Sequence, residues 1–333
     1  MNTDRRYLPF VSALIVTRNE HLYIDRALLS LIHQTYPKSR YEIIVIDGES
    51  NDDTMKIVDR IIRQYRTETF DIRVISNPRH ILSTGWNLGI RNAKGEYVVR
   101  IDAHATAEED FIEKSVDTIL SVPDAVCVGG KLTTCASENS DPLVSMVLSS
   151  SFGVGNSSFR VSDSPGYTDT AVYGLYLKSI FEQIGYFNEQ YVRNQDIELH
   201  SRIRKAGHKI YYNPEIQSVY YTRNNVKKMV QQAYGNGKWN MVLLKKRSSA
   251  LQIRHLVPFL FVIYLIISTI LGFVTPLFWL QEILILFLHF ALGIVAATRK
   301  TNKIPEILKM SFLFFLLHAA YGVGYLSGLF IQL

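Results

Sequence analysis

The stretch YVVRIDAHA, Tyr97 to Ala105, drives an apolar run into Asp102 and His104, a carboxylate and an imidazole one residue apart. Residues i and i+2 of a strand point to one face, so a strand ending here aims both groups at one object beyond its end. A divalent cation is such an object. The same nine residues also fit a turn opened by Asp102, with His104 on a surface loop. His33, His208 and His289 show no metal-ligand spacing and read as surface or packing residues. Cys127 and Cys135 lie eight apart with no second pair, which argues against a zinc site or a disulfide framework and for reduced thiols.

The elements that must hold these groups alternate. SALIVT (Ser12–Thr17) reads as a strand, and Tyr23 to Gln34 as a helix with Ile24, Leu28, Leu31 and Ile32 on one face. YEIIVIDG is a second buried strand that stops at Asp47. A helix over Thr54–Tyr65, the strand DIRVIS, a helix near Thr84–Asn92 and the strand EYVVRID follow. Such alternation predicts a parallel sheet, and Asn19, Asp47, Asn77 and Asp102 all fall where a strand has just ended, which is where open α/β sheets bind ligands. The turn after the first strand, TRNEHLY, has no glycine-rich pyrophosphate loop, so a nicotinamide-type Rossmann domain is disfavoured. Further on, AVCVGGKLT predicts a strand, Ser149 to Gly166 a long loop, and IELHSRIRKAG a helix closed by Gly207. No internal repeat or low-complexity tract is visible.

A chain of 333 residues is long enough for two domains or for one large domain plus an appendage, and 47% hydrophobic content is high for a soluble protein. From Leu256 to Leu333 the only acids are Glu282 and Glu306, and the only Lys or Arg are Arg299, Lys300, Lys303 and Lys309. Leu256–Val274, Pro276–Ala297 and Ile307–Ile331 are each long enough to cross a bilayer. Three crossings put the C-terminus on the outer side, with the basic cluster Lys245, Lys246, Arg247 and Arg254 on the cytoplasmic side with Arg299, Lys300 and Lys303. The alternative has Pro276–Ala297 re-entering or lying in the interface. Asn225 to His255 reads as an amphipathic interfacial helix. The expected domains are thus 1–224, 225–255 and 256–333. The net charge of +6 does not indicate nucleic acid, since basic residues elsewhere are interleaved with acids. The run Tyr7–Val16 lacks the marks of a signal peptide.

Taken together, VTRNE, VIDGESNDDT, IDAH and NQDIELHSRIRKAGHKI, in this order over roughly Ser12 to Pro258, resemble the motifs of the family 2 glycosyltransferases with the GT-A fold. RIDAHA, FGVGNSSFR and a segment like YGNGKW are similar to the bacterial succinoglycan-type exopolysaccharide glucosyltransferases. The resemblance implies a Rossmann-like, mixed but mainly parallel α/β sheet with helices on both faces, followed by transmembrane helices. It also implies that Asp102 and His104 help hold Mg²⁺ or Mn²⁺ on a nucleotide diphosphate, and that Thr17, Asn19, Glu20, Asp47, Asn87 and Asp102 bind the donor. Asp47 contacts the base in this reading, or else forms a cap after its strand. Asp196 stands where the family has its second acidic residue and is the candidate general base; a cap on the helix beginning at Ile197 is the other reading. Gln195 stands where Glu is common, and Arg18 where an aromatic residue is. Asp169, Gln195 and Trp239 are candidates for the acceptor side; Asp169 also fits a loop hydrogen bond and Trp239 an interfacial anchor. QQAYGNGKW in place of Gln-x-x-Arg-Trp counts against processivity.

The expected activity is a membrane-attached inverting transferase that moves a hexose from a UDP-sugar to a lipid-linked oligosaccharide in surface-polysaccharide assembly. Its partners would be the donor, the lipid-linked acceptor, membrane lipids and other polysaccharide-assembly proteins, with no nucleic acid. The rivals are a polyprenyl-phosphate sugar synthase and a catalytically silent nucleotide-sugar scaffold.

Overall fold

The computed structural model describes residues 7–136, 141–155, 157–222, 225–246 and 250–331; Arg247 of the basic cluster and Asn156 of FGVGNSSFR lie outside them. The apolar segments VSALIVT and YEIIVID form the buried parallel neighbours β1 (Val11–Thr17) and β2 (Tyr41–Asp47). Outward from β2 lies β3 (Ile72–Ser76), and on the other side of β1 lies β4 (Tyr97–Asp102), both parallel. Right-handed crossovers put α1 (Ile24–Ile32) and α2 (Thr54–Tyr65) on one face as the chain steps outward, and α3 (Leu82–Asn92) on the opposite face as it returns. The strand order therefore reverses between β1 and β4.

Beyond β4 the sheet becomes antiparallel. After β5 (Ala105–Ala107) and α4 (Phe111–Ser121) come β6 (Ala125–Ala136), β7 (Gly166–Thr168), β8 (Leu175–Leu177) and β9 (Lys209–Thr222), giving the order β3-β2-β1-β4-β8-β6-β9-β5 with β7 paired to β9. The short helix α8 (Ile180–Ile184) and α9 (Gln195–Lys205) lie between β8 and β9. Trp86 and Ile90 of α3, Leu199 and Ile203 of α9, and Leu14, Ile44, Ile46 and Val98 from the strands share one core. Gly207 follows α9 at φ +86°, the left-handed position that a glycine closes without strain.

The chain forms two compact units, residues 1–133 with 162–220, and residues 134–161 with 221–333. The second is thus not a simple tail. The helix α5 (Pro142–Leu148) precedes the long loop expected over Ser149–Gly166, and that stretch holds two four-residue helices, α6 (Ser151–Val154) and α7 (Ser158–Val161). Leu143, Val144 and Val147 of α5 pack with Met310, Leu313 and Phe314. The helix expected from Asn225 to His255 is instead α10 (Val226–Lys245), capped by Asn225 accepting from the Lys228 N–H at 2.9 Å; a new helix starts at Ile253.

Among the described residues three helices are long and apolar enough to cross a membrane: α11 (Ile253–Gly272), α12 (Leu277–Thr298) and α13 (Ile304–Gly328). The first two form a hairpin. Glu282, the one acid within it, accepts hydrogen bonds from Ser268 Oγ at 3.1 Å and Thr269 Oγ1 at 3.0 Å, so an otherwise costly carboxylate is satisfied inside an apolar pair. Helices α10 and α13 approach more closely: a Cβ on Gly237 would collide with the Tyr321 carbonyl, and one on Gly324 with the Tyr234 carbonyl. Glycine at both positions lets the two backbones touch. Gly324→Val is expected to separate them and to destabilise the protein by roughly 1–3 kcal/mol, the usual cost of overpacking, measurable as a lower melting temperature in detergent.

Candidate active site

The reversal of strand order between β1 and β4 opens a crevice at their carboxyl ends. Thr17 is in register with Asp47, and Val16 with Asp102, so the ends of β1, β2 and β4 lie at one edge. A cleft of about 210 Å³ occupies it, lined by Thr17, Arg18 and Glu20 after β1, Gly48 after β2, and Asp102 and His104 after β4. The strand stops at Asp102 and His104 sits in the turn before β5, so a turn brings both to the cleft where strand alternation was expected to do so. His104 Nδ1 lies 3.3 Å from Glu20 Oε1 and makes no hydrogen bond, while its ring meets Tyr220 edge-on at 5.1 Å.

Asp102 is held from the far side. Tyr173 donates to its Oδ2 at 3.2 Å from a backbone at φ +46°, a conformation that a bulky residue adopts only where its surroundings impose it. Burial, then the Asp102 charge, push the Tyr173 phenol well above its ordinary range, so it stays a neutral donor.

Two residues to the N-terminal side, Arg100 is buried in the sheet with its guanidinium over the rings of Trp86 at 5.3 Å and Phe187 at 5.6 Å. Its Nη2 is 3.6 Å from Asp196 Oδ2, at the first turn of α9. Burial opposes the Arg100 charge, but Tyr176, Asp196 and Asp102 outweigh it and raise the pKa. Asp196 Oδ1 accepts from the Ile197 N–H at 2.9 Å, and the side chain is 34% exposed, open enough for a substrate to reach. One turn along, His200 is fully buried between Thr170 Oγ1 (2.9 Å) and Tyr176 OH (2.8 Å), and burial drives its pKa down to about 4.

Because His200 is neutral when folded and takes a proton near pH 6.5 when unfolded, its contribution to stability is complete above pH 6.5 and is lost as the pH falls toward 4. At about 1.4 kcal/mol per pH unit this amounts to on the order of 3 kcal/mol. The wild type is expected to lose more of its melting temperature between pH 7.5 and pH 5 than His200→Gln does; equal losses would reject the assignment.

The remaining candidates separate. Asp47 is not part of the cleft wall: its carboxylate accepts from Ser50 N–H (3.1 Å) and Ser50 Oγ (2.6 Å), closing the turn after β2. Asn19, at φ +55°, accepts from the Asn51 N–H at 2.9 Å and so joins the loops after β1 and β2. Asn87 is buried, accepts from the Phe187 N–H at 2.9 Å and donates to the Phe187 carbonyl at 2.8 Å and to Glu189 Oε1 at 2.9 Å; it clamps α3 and is not among the residues lining the cleft. Gln195 is buried at the start of α9, Asp169 belongs to the same unit near His200, and Trp239 lies on α10 in the other unit. Arg100, Tyr173 and His200 were not anticipated. An arginine inside an apolar strand, and a histidine four residues after Asp196 on one helix face, are the signals that point to two of them.

Comparison with known proteins bears on the family and the fold. The family described as glycosyl transferase family 2 matches residues 12–185. The chain is 32% identical over 327 residues to dolichyl N-acetyl-alpha-D-glucosaminyl phosphate 3-beta-D-2,3-diacetamido-2,3-dideoxy-beta-D-glucuronosyltransferase of Methanococcus voltae, covering 96% of this chain and 97% of that protein. It is 27% identical to the succinoglycan biosynthesis protein ExoA of Rhizobium meliloti, over 78% of this chain and 77% of the other. Among solved structures, the mannosyltransferase PcManGT of Pyrobaculum calidifontis, in complex with GDP-Man and Mn²⁺, superposes with a TM-score of 0.60 at 17% identity, over 96% of this chain and 88% of that one. The fold is GT-A-like, and the chain belongs to glycosyltransferase family 2.

Proposed function

We propose that this transferase is membrane-attached and moves a hexose from a nucleotide diphosphate sugar, of the UDP type, to a lipid-linked saccharide during surface-polysaccharide assembly, inverting the anomeric centre. The observation that carries this reading is Arg100, which joins the carboxylate at the head of α9 to the end of β4, so that an accessible Asp196 belongs to the same site as the cleft edge formed by Asp102. Asp196 is the general base for the acceptor hydroxyl; a single carboxylate suffices when proton removal and leaving-group departure occur on opposite faces of the sugar. The near full-length likeness to an enzyme whose name gives a dolichyl-phosphate-linked sugar as its acceptor supports a lipid-linked acceptor here. The catalytic part is the sheet-containing unit, and it faces the cytoplasm, where nucleotide sugars are made. Thr17, Glu20 and Asp102 face the donor, while Asn19, Asp47 and Asn87 shape the loops and helix around it.

Among the described residues no three His, Cys, Asp or Glu are grouped to hold an ion by themselves. Asp102 and His104 fit a cation that takes its other ligands from a diphosphate and water, and the His104 Nδ1 without a hydrogen bond suits such a use. A divalent cation bound there would supply positive charge to the departing diphosphate. Imidazole is a better ligand for Mn²⁺ than for the harder Mg²⁺, so Mn²⁺ is expected to be at least as effective, and His104→Asp to shift the preference toward Mg²⁺. Full activity after exhaustive chelation would reject the metal site.

A screen of the purified protein against nucleotide sugars, with the mass of the lipid product as readout, tests the function. A product one hexose heavier than a lipid-linked saccharide is expected. A lipid monophosphosugar would favour a polyprenyl-phosphate sugar synthase, and no turnover with any donor would favour a scaffold.

A further inference from the structure

We infer that α13, although long and apolar enough to cross a bilayer, lies in the membrane plane beside α10, that α11 and α12 alone insert, and that both ends of the membrane unit stay on one side. The inference rests on the membrane attachment proposed above.

The hairpin has a clear register. Glu282 meets Ser268 and Thr269, Trp279 Nε1 donates to the Thr269 carbonyl at 3.2 Å, and Phe261 stacks on His289 at 5.0 Å. Continued outward, this pairing sets the start of α11 beside the end of α12. That open end is the hairpin's base, and its tip is the uncharged turn near Thr275.

Helix α13 does not run along this hairpin. Near its start, Ile307 and Met310 pack with Ala296 and Ala297 at the base. Ser311 then donates to the Phe290 carbonyl at 2.9 Å, and Phe315 and His318 meet His289, with Phe315 also against Phe261. After that the helix returns toward the base: Gly322 abuts Pro258 and Val262, and Tyr325 stacks on Phe259 at 4.9 Å and donates to the His255 carbonyl at 3.0 Å. From Ser311 to Tyr325 it advances roughly 21 Å at 1.5 Å per residue, yet its partners begin and end within about two turns of the base. It crosses over the hairpin from the end of α12 to the start of α11.

Two further observations fix which helices enter lipid. Helix α10 runs beside the second half of α13 in the same direction, Tyr234 by Gly324 and Lys238 by Gly328, with Lys245 Nζ donating to the Leu329 and Ile331 carbonyls. Were α13 to cross, it would carry Lys227, Lys228 and Lys238 of α10 toward the hydrocarbon, where a charged side chain is unfavourable. In the plane, these lysines meet anionic headgroups, which attract them. The middle of α13 is also covered by α6, where His318 Nε2 lies 3.0 Å from the Phe152 carbonyl and Phe314 meets the Phe152 ring at 5.1 Å. The hairpin is the less covered part, with Phe273 79% and Val274 81% exposed at its tip, while α13 leaves Leu308 and Phe312 about half exposed, an apolar side that an in-plane helix turns to the lipid.

The experiment is a pair of fusions after Leu333 in a bacterial host, one to a fluorescent protein that matures in the cytoplasm and one to a phosphatase active only outside it. A bright fluorescent fusion and an inactive phosphatase fusion are expected. An active phosphatase would overturn the in-plane assignment and restore three crossings, leaving membrane attachment and transferase activity intact. Because a bulky fusion can misplace a tail, a short epitope after Leu333 provides a second measurement. It should be cleaved by protease in inside-out vesicles and protected in sealed spheroplasts; the reverse pattern overturns the inference. Release of the protein by alkaline carbonate would overturn both this topology and the membrane reading.

Discussion

Asp196→Asn is expected to bind the donor within a few-fold of the wild type and to turn over roughly 10²–10⁴ times more slowly, the usual range for loss of a general base. That range corresponds to about 3–5 kcal/mol of barrier. The replacement keeps Oδ1, which accepts from the Ile197 N–H, so the local shape survives. It does remove a negative charge from the first turn of α9, worth about 0.3–1 kcal/mol to the helix, and it leaves Arg100 facing an amide. A melting curve taken beside the rate assay separates the two effects: a stable protein with little turnover is the expected result, and transfer at half the normal rate would remove Asp196 from the mechanism.

The second large effect is expected at Asp102. Asp102→Asn keeps an acceptor for the Tyr173 hydroxyl but removes the charge that a cation needs, and turnover should fall roughly 10²-fold or more, since metal assistance is worth several kcal/mol. Rate alone does not distinguish a ligand from a strut. Titration of UDP with and without Mn²⁺ does: the wild type should bind UDP more tightly with the ion, and the variant should bind equally in its presence and absence. Persistent Mn²⁺-dependent binding in the variant would show that Asp102 does not hold the ion.

The central strands β1 and β2 were legible because they are buried on both faces and read as largely apolar runs, so that they and α2 agree with the expected bounds to within a residue. The antiparallel half was less so. Strand β9 contains Pro214 and alternates buried with exposed residues, and β5, β7 and β8 span three residues each, too short for a periodicity to show. Of the four polar residues read at strand ends, Asn77 and Asp102 line the cleft. The bond from Ser50 to Asp47 spans three residues and matches the cap that was one of the two readings of Asp47; spacing could not tell that Asn87 would turn to Phe187, because a hydrogen bond across 100 residues depends on which elements become neighbours. Arg100 was hidden for the opposite reason: a charged residue inside a strand counts against burial until its aromatic neighbours and its carboxylate are in place.

The detour of residues 134–161 into the second unit has a consequence for the order of synthesis. Leu143, Val144 and Val147 leave the ribosome well before Leu313 and Phe314, their partners in the folded chain. At roughly 5–20 residues per second the delay is on the order of 10–30 s, during which the apolar side of α5 lacks its α13 partners. A nascent chain in that state needs a chaperone or the bilayer surface to shield it. A chain stopped at residue 224 would never leave that state, and it should accumulate as aggregate even though most of its sheet has been completed.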